Sequence, residues 1–330
     1  MKQKTSNVLA VIIPLLLGLG LTVYFYNSFS EVQKQQMKNY FVFADYNYVL
    51  LSLLLATLGY ILRAYRWKYT LEQIDCEPNF KLNFLAVGIG YFVNLTVPRA
   101  GEVSRAIILK KYQNQPFDKV FGTIIAERIV DFMILFSFIA LALILEFDTL
   151  QAFLIENIPL NKLILMAGIG FVLTIVGLYL YFYSKIPLVL NLKAKIQGLK
   201  EGALSVTKIP HKWKFLMYTL LIWLSYVMMF FCSTFALQAT SNITLGTVLV
   251  AFVIGSLTIA FTNGGFGFFP VLIAKILFLY GIPLEAGTAF GWIIWVSQLL
   301  ITVVIGVFSF AVLPIVVQQI KPQNTNKITI

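Results

Sequence analysis

Apolar residues in this chain come in long blocks rather than in alternation. Blocks of the length needed to cross a hydrocarbon core, roughly 17–25 residues, run from Val8 to Tyr26, Tyr46 to Leu62, Val120 to Leu145, Leu163 to Tyr183, Phe215 to Leu237 and Ala286 to Leu313. Each predicts a transmembrane helix. Two further apolar regions, around residues 82–112 and 245–281, are interrupted by proline and glycine. Composition agrees with a membrane setting: 59% of the 330 residues are hydrophobic and 12% are charged, where soluble domains carry about 25% charge. The mean hydropathy is +0.84. Lys2 and Lys4 precede the first block in the manner of a signal peptide. No small-residue cleavage pattern follows, so the block reads as the first span.

Charge asymmetry sets the expected orientation. Between Lys185 and Lys214 there are seven lysines against the single acid Glu201, which places that loop in the cytoplasm by the positive-inside rule. The preceding connection carries Glu146, Asp148 and Glu156 with no base before Lys162, and belongs outside. The first connection, with Glu31, Lys34, Lys38 and Asp45, is neutral and also fits the outside. Arg63, Arg66 and Lys68, interleaved with Tyr65, Trp67 and Tyr69, read as snorkelling and aromatic anchors at the cytoplasmic interface. The +11 net charge is thus explained by topology rather than by nucleic acid.

These sides require an even number of crossings, with both termini cytoplasmic. Six complete spans satisfy that if each interrupted region enters and leaves on one side, as a re-entrant hairpin. The first would enter from the cytoplasm and the second from outside. A faint repeat supports the pairing: Pro116 and Gly122 follow the break at Gly101, and Pro283 and Gly287 follow the break at Gly267. The expected fold is an all-α polytopic membrane protein with about six full spans and two broken-helix hairpins in an inverted pseudo-repeat. The chain reads as one domain over residues 1–330, with units of about 46–145 and 213–315 and no soluble domain.

Polar groups at membrane depth are the candidate chemistry. Irregular backbone is tolerated there only against protein or a water-filled cavity, so "NLTVPRAGE" and "FTNGGFGFFP" would line one. Free N–H groups at the start of the second half-helix, with Arg99 and Arg105, make an anion site, and Glu102 could pair with either arginine. The alternative is a solvated cytoplasmic loop. In "AERIVDFMIL", Glu127 and Asp131 share a helix face about 12 and about 18 Å from a start near Lys119 at 1.5 Å per residue, with Arg128 one turn from Asp131. They lock this helix to the first hairpin through Arg99 or Arg105, take a direct part in passage of a substrate or ion, or do both. Lys275 faces a cavity or snorkels outward; Asn94 and Gln298 read as helix-packing contacts. With His211 the only histidine, and Cys76 and Cys232 in a loop and a span, neither a metal, a disulfide nor a cofactor is expected.

"PRAGEVSRAIIL", "ERIVD" and "GGFGFFP…LYGIP…AG" together resemble the lysylphosphatidylglycerol synthetase transmembrane family, the flippase-like membrane domain of aminoacyl-phosphatidylglycerol synthases and its stand-alone relatives. The resemblance covers nearly the whole chain. It implies movement of a lipid with a phosphate-bearing head group between leaflets. Carried over by position, the first motif falls on Pro98, Gly101, Glu102 and Arg105, the second on Glu127, Arg128 and Asp131, and the third on Gly264, Gly265 and Gly267; the residues' own chemistry adds Arg99 to the candidate substrate positions. Asn263 stands where members commonly have proline, which implies a different preference at the outer hairpin; Lys275 completes the candidate set. Without a transferase segment, a flippase is expected rather than a synthase, and no P-loop is present to power it. The expected partners are an anionic or phosphate-bearing lipid, a second copy of the chain or a lipid-modifying protein, and no nucleic acid. The rival functions are an enzyme acting on a lipid carrier with Glu127 or Asp131 as base, and an accessory subunit of a lipid-modifying complex. DedA-type proteins are an architectural rival.

Overall fold

Backbone N–H and C=O groups in hydrocarbon must pair within the chain, and for isolated apolar blocks only helix achieves this. All regular secondary structure among the described residues is helical. The structure, a computed structural model, describes residues 16–320 apart from 78, 98–99, 150, 153–159, 185, 188, 191–192, 194–196, 198–205 and 263. The helices are α1 Leu16–Asn27, α2 Glu31–Val42, α3 Tyr46–Glu72, α4 Phe80–Thr96, α5 Ala100–Gln113 and α6 Phe117–Leu145. They continue with α7 Leu160–Tyr183, α8 Lys212–Thr234, α9 Leu245–Phe261, α10 Phe268–Leu279 and α11 Leu284–Ile320. Among the described residues, α3, α6, α8 and α11 are long and apolar enough to cross a bilayer. The 24-residue α7 coincides with the predicted fourth span.

Local chemistry sets the helix starts. The Ser30 hydroxyl accepts from the Gln33 N–H while the Gln33 side chain accepts from the Ser30 N–H, a capping box that starts α2 inside what the sequence reading treated as a plain connection. Asn79 and Thr244 cap α4 and α9 in the same sense, each supplying an acceptor to an orphan N–H.

Both interrupted regions are helical hairpins. In the first, α4 and α5 pack so closely that a Cβ on Gly101 would collide with the Gly90 carbonyl. Small residues let the backbones meet, as in membrane helix pairs generally. The Asn94 carbonyl oxygen accepts from the Gly101 N–H at 2.7 Å, so Asn94 caps α5 from the neighbouring helix. In the second, Gly255 of α9 faces Phe269 of α10. Three glycines of the break between them have positive φ: Gly264 at 66°, Gly265 at 81° and Gly267 at 71°, a region open to glycine at little steric cost.

The two hairpins lie along α11 from opposite ends. α10 runs antiparallel to its first half, with Ala274 at Gly287 and Pro270 at Gly291, and Trp295 Nε1 donates to the Gly264 carbonyl at 2.8 Å. α4 runs antiparallel to its second half, with Gly88 at Ser309 and Phe92 at Gly306. Both breaks are therefore carried toward the middle of α11. The remaining packing is reciprocal: α3 lies against α8, α4 against α11, and α9 against α6.

Cys76, in the turn after α3, is 2% exposed, with Sγ 3.6 Å from Gln113 Oε1. Burial, with a smaller contribution from Glu77, pushes its thiol up to about 11. The thiolate is the reactive form, so below that pH the native thiol is neutral and slow to react. In a Cys232→Ser background, maleimide labelling of the native protein is expected to be slow at pH 7 and to accelerate toward pH 11, while the unfolded chain labels readily. Rapid labelling of the folded protein at pH 7 would contradict this.

Candidate functional site

The buried charged residues among those described converge on one place. α6 starts at Phe117, so Glu127 and Asp131 lie about 15 and about 21 Å along it, deeper than the sequence reading placed them. They are 1% and 7% exposed. Burying a carboxylate is costly unless it is paired and hydrogen-bonded, and both are. Asp131 Oδ1 accepts from Arg66 Nη1 at 2.5 Å, and its Oδ2 accepts from Arg66 Nη2 at 3.1 Å and Arg63 Nη1 at 3.0 Å. Arg128 Nη2 approaches Oδ2 to 3.5 Å, and Trp223 Nε1 donates to Oδ1 at 3.4 Å. Glu127 Oε2 accepts from Arg105 Nη2 at 3.0 Å, while its Oε1 is 3.5 Å from Arg66 Nε.

Aromatic faces hold the guanidinium groups in place. Arg105 Cζ lies 4.0 Å from the centroid of Trp67, Arg66 5.6 Å from Phe215, and Arg63 between Tyr91 and Tyr226 at 5.7 and 5.4 Å. Such contacts contribute about 0.5–2 kcal/mol each when desolvated. Arg63 Nε also donates to the Tyr226 hydroxyl at 2.6 Å, and Trp67 Nε1 donates to Thr123 Oγ1 at 3.1 Å. The network ties α3, α5, α6 and α8 together. On α6 it falls between Ile124, which belongs to one apolar core with α3, α4 and α5, and Leu135, which belongs to a second with α8, α9, α10 and α11.

Arg63 and Arg66 correct the sequence reading. They are not interfacial anchors: α3 continues ten residues past the predicted end at Leu62, to Glu72, so both arginines lie inside the helix and are 6% and 0% exposed. Trp67 is likewise fully buried rather than interfacial. The missed signal was a charge balance. Two carboxylates one turn apart at membrane depth call for cations, and Arg63 and Arg66, also one turn apart, are the matching pair.

Other predicted residues have different fates. Arg105 joins the network, pairing with Glu127 and not with Glu102, one oxygen of which is buried with no hydrogen-bond partner. Gly101 supplies the close helix approach. Arg99 and Asn263 lie outside the described residues, as does Pro98. Gly264, Gly265 and Gly267 form the second break but enter none of the network's ion pairs; Gly267 packs backbone to backbone against Gly18 of α1. Lys275 is exposed on α10 and takes no part in the network.

Gly101→Ala is expected to destabilise the protein by about 1–3 kcal/mol, the usual cost of overpacking, because the new methyl meets backbone rather than a movable side chain. Denaturant titration of the purified protein measures this. A variant as stable as the parent would contradict the close α4–α5 approach.

A buried guanidinium–carboxylate network joining four helices, with two helical hairpins packed along α11, is the setting in which the comparison with known proteins falls. Residues 11–306 match the family described as the lysylphosphatidylglycerol synthase TM region. The chain belongs to this family. Every network residue lies inside the matched stretch. A UPF0104 membrane protein of Methanocaldococcus jannaschii is 34% identical over 94 residues, 28% of each chain, and one of Pyrococcus horikoshii is 34% identical over 103 residues, 30% of this chain and 31% of its own. A third, from Methanothermobacter thermautotrophicus, is 26% identical over 170 residues, 50% of this chain and 48% of its own. The matched segments thus span half or less of these relatives. No solved structure matches the chain. As a lysylphosphatidylglycerol synthase-type membrane region, it is a polytopic membrane protein with a lipid-related setting.

Proposed function

We propose that the protein moves a lipid with a phosphate-bearing head group between the leaflets of the cell membrane, with both termini in the cytoplasm. The observation that carries this reading is a surplus of positive charge around two buried carboxylates. Four guanidinium groups, Arg63, Arg66, Arg105 and Arg128, face two carboxylates, Glu127 and Asp131, leaving two positive charges uncompensated within the network. Nε of Arg105 and of Arg128 has no acceptor. Arginine's forked donors suit a phosphate, and Arg128, with 35% of its side chain exposed, offers the way in.

The packing supports alternating access around this point. Two hairpins approaching the middle of α11 from opposite ends, with reciprocal contacts of α4 to α11 and of α9 to α6, fit two re-entrant hairpins in an inverted pseudo-repeat, the plan of many transporters. The chemistry is one-sided: hairpin α4–α5 brings Arg105 to the ion pairs, whereas the described break of α9–α10 brings glycine backbone, held by Trp295 of α11. In this account the arginines receive the head group, Glu127 and Asp131 hold them while the site is empty, and the acyl chains stay in lipid.

Arg128→Gln is the discriminating variant. Its 3.5 Å approach to Asp131 is the longest of that residue's three ion pairs, and it is partly exposed, so folding is expected to survive. Protein-dependent movement of head-group-labelled phosphatidylglycerol is expected to slow about tenfold or more, the equivalent of one charge-assisted hydrogen bond. An unchanged rate would count against head-group recognition at this cluster.

A further inference from the structure

A second site shares no residue with the arginine network. α1, α2, α10 and α11 enclose a partly open groove of about 270 Å³, lined by Val23, Tyr26, Met37, Val271 and Trp292 among others. Its two threonines present no free hydroxyl: Thr22 donates back to the Gly18 carbonyl at 2.9 Å and Thr288 to the Leu284 carbonyl at 2.6 Å. The exposed lining is almost wholly apolar, too poor in polar partners for the two to four that a retained water needs, so in a bilayer the occupant is hydrocarbon. Beside the groove, Lys34 Nζ stands 5.3 Å from the centroid of the lining Tyr26 ring. It pairs with Glu31, which is largely exposed, a kind of partner that exchanges readily. At the floor, Trp292 packs edge to face on Trp295, whose indole holds the Gly264 carbonyl of the second break.

We infer that this groove binds one acyl chain of an outer-leaflet lipid, whose anionic head group is met by Lys34. The inference rests on the proposed orientation, in which α2 lies outside, and it assigns the outer-leaflet station of the proposed lipid path. Apolar lining selects a chain of any lipid; the cation beside Tyr26 selects an anionic one. The contact from Trp292 through Trp295 links occupancy to the glycine break.

The test uses the full-length protein reconstituted with phosphatidylglycerol carrying a photoactivatable group at the end of one acyl chain, followed by peptide mapping of adducts. Adducts are expected to concentrate in segments 22–37 and 271–292, several-fold above the exposed lipid-facing Phe136 and Phe308. Val23→Trp, at a half-exposed position, fills the groove and should reduce those adducts several-fold while labelling at Phe136 persists. Lys34→Glu, at a partly exposed position, should lower the ratio of phosphatidylglycerol to phosphatidylcholine labelling several-fold. Uniform labelling of all exposed positions in the parent protein would overturn the inference, as would groove labelling indifferent to both substitutions. Transbilayer movement is measured separately: a labelled groove without lipid movement supports the site and removes the transport reading, whereas movement without groove labelling removes the site alone.

Discussion

Asp131→Ala is expected to cost about 3–5 kcal/mol of folding stability, the range for breaking a buried ion pair from one side. The cost arises because Arg63 and Arg66 would stay behind at 6% and 0% exposure, without the carboxylate that now takes three of their hydrogen bonds. Of its polar partners Arg66 would keep only its 3.5 Å approach to Glu127 and a 3.4 Å contact to Thr219. The expected readout is a large fall in the denaturant midpoint of the detergent-purified protein. Asp131→Asn should fall between, since it keeps shape and some acceptors while losing charge. An alanine variant with parental stability would mean that the arginines are not held as the structure shows.

Glu127 and Arg105 allow the lock and the transport site to be separated. Glu127→Leu alone leaves the 6% exposed Arg105 side chain with no carboxylate partner, and should also cost about 3–5 kcal/mol. The double variant Arg105→Met, Glu127→Leu removes both charges. Replacing a buried pair by apolar groups is often neutral or stabilising, and Arg66 retains Asp131, so stability is expected to return to near the parental value. Lipid movement is not expected to return with it, because Arg105 and its free Nε are gone. A double variant that is both stable and active would make this pair structural only, and a double variant as unstable as the single one would show that the pair is not independent.

The sequence made the hydrophobic architecture legible because spans and breaks are written in blocks. The two Gly/Pro interruptions are the two hairpins, and predicted span ends such as Leu145 and Tyr183 coincide with helix ends. The end of α3 was misplaced for a physical reason. Hydropathy falls after Leu62, but "RAYRWKYTLE" contains neither proline nor glycine, so nothing stops the helix; polarity marks the edge of a lipid-facing surface, not the edge of a helix buried in protein. That displacement turned Arg63 and Arg66 into interfacial residues on paper. α2 was legible and went unread, since Ser30 and Gln33 stand at the capping-box spacing. The Arg105–Glu127 pairing lay within reach of the sequence, whereas the choice of Arg63 and Arg66 by Asp131 depends on how α3 packs on α6 and α8, which no local pattern encodes.

The most direct test of the account is transbilayer movement in liposomes containing the purified protein and a trace of head-group-labelled phosphatidylglycerol, exposed to a membrane-impermeant quencher. If the protein moves such lipids, label from both leaflets becomes accessible and quenching proceeds nearly to completion, whereas protein-free vesicles stop near the outer-leaflet half. Quenching that stops at that same half in vesicles bearing folded protein would contradict the claim that it carries a phosphate-bearing lipid across the membrane.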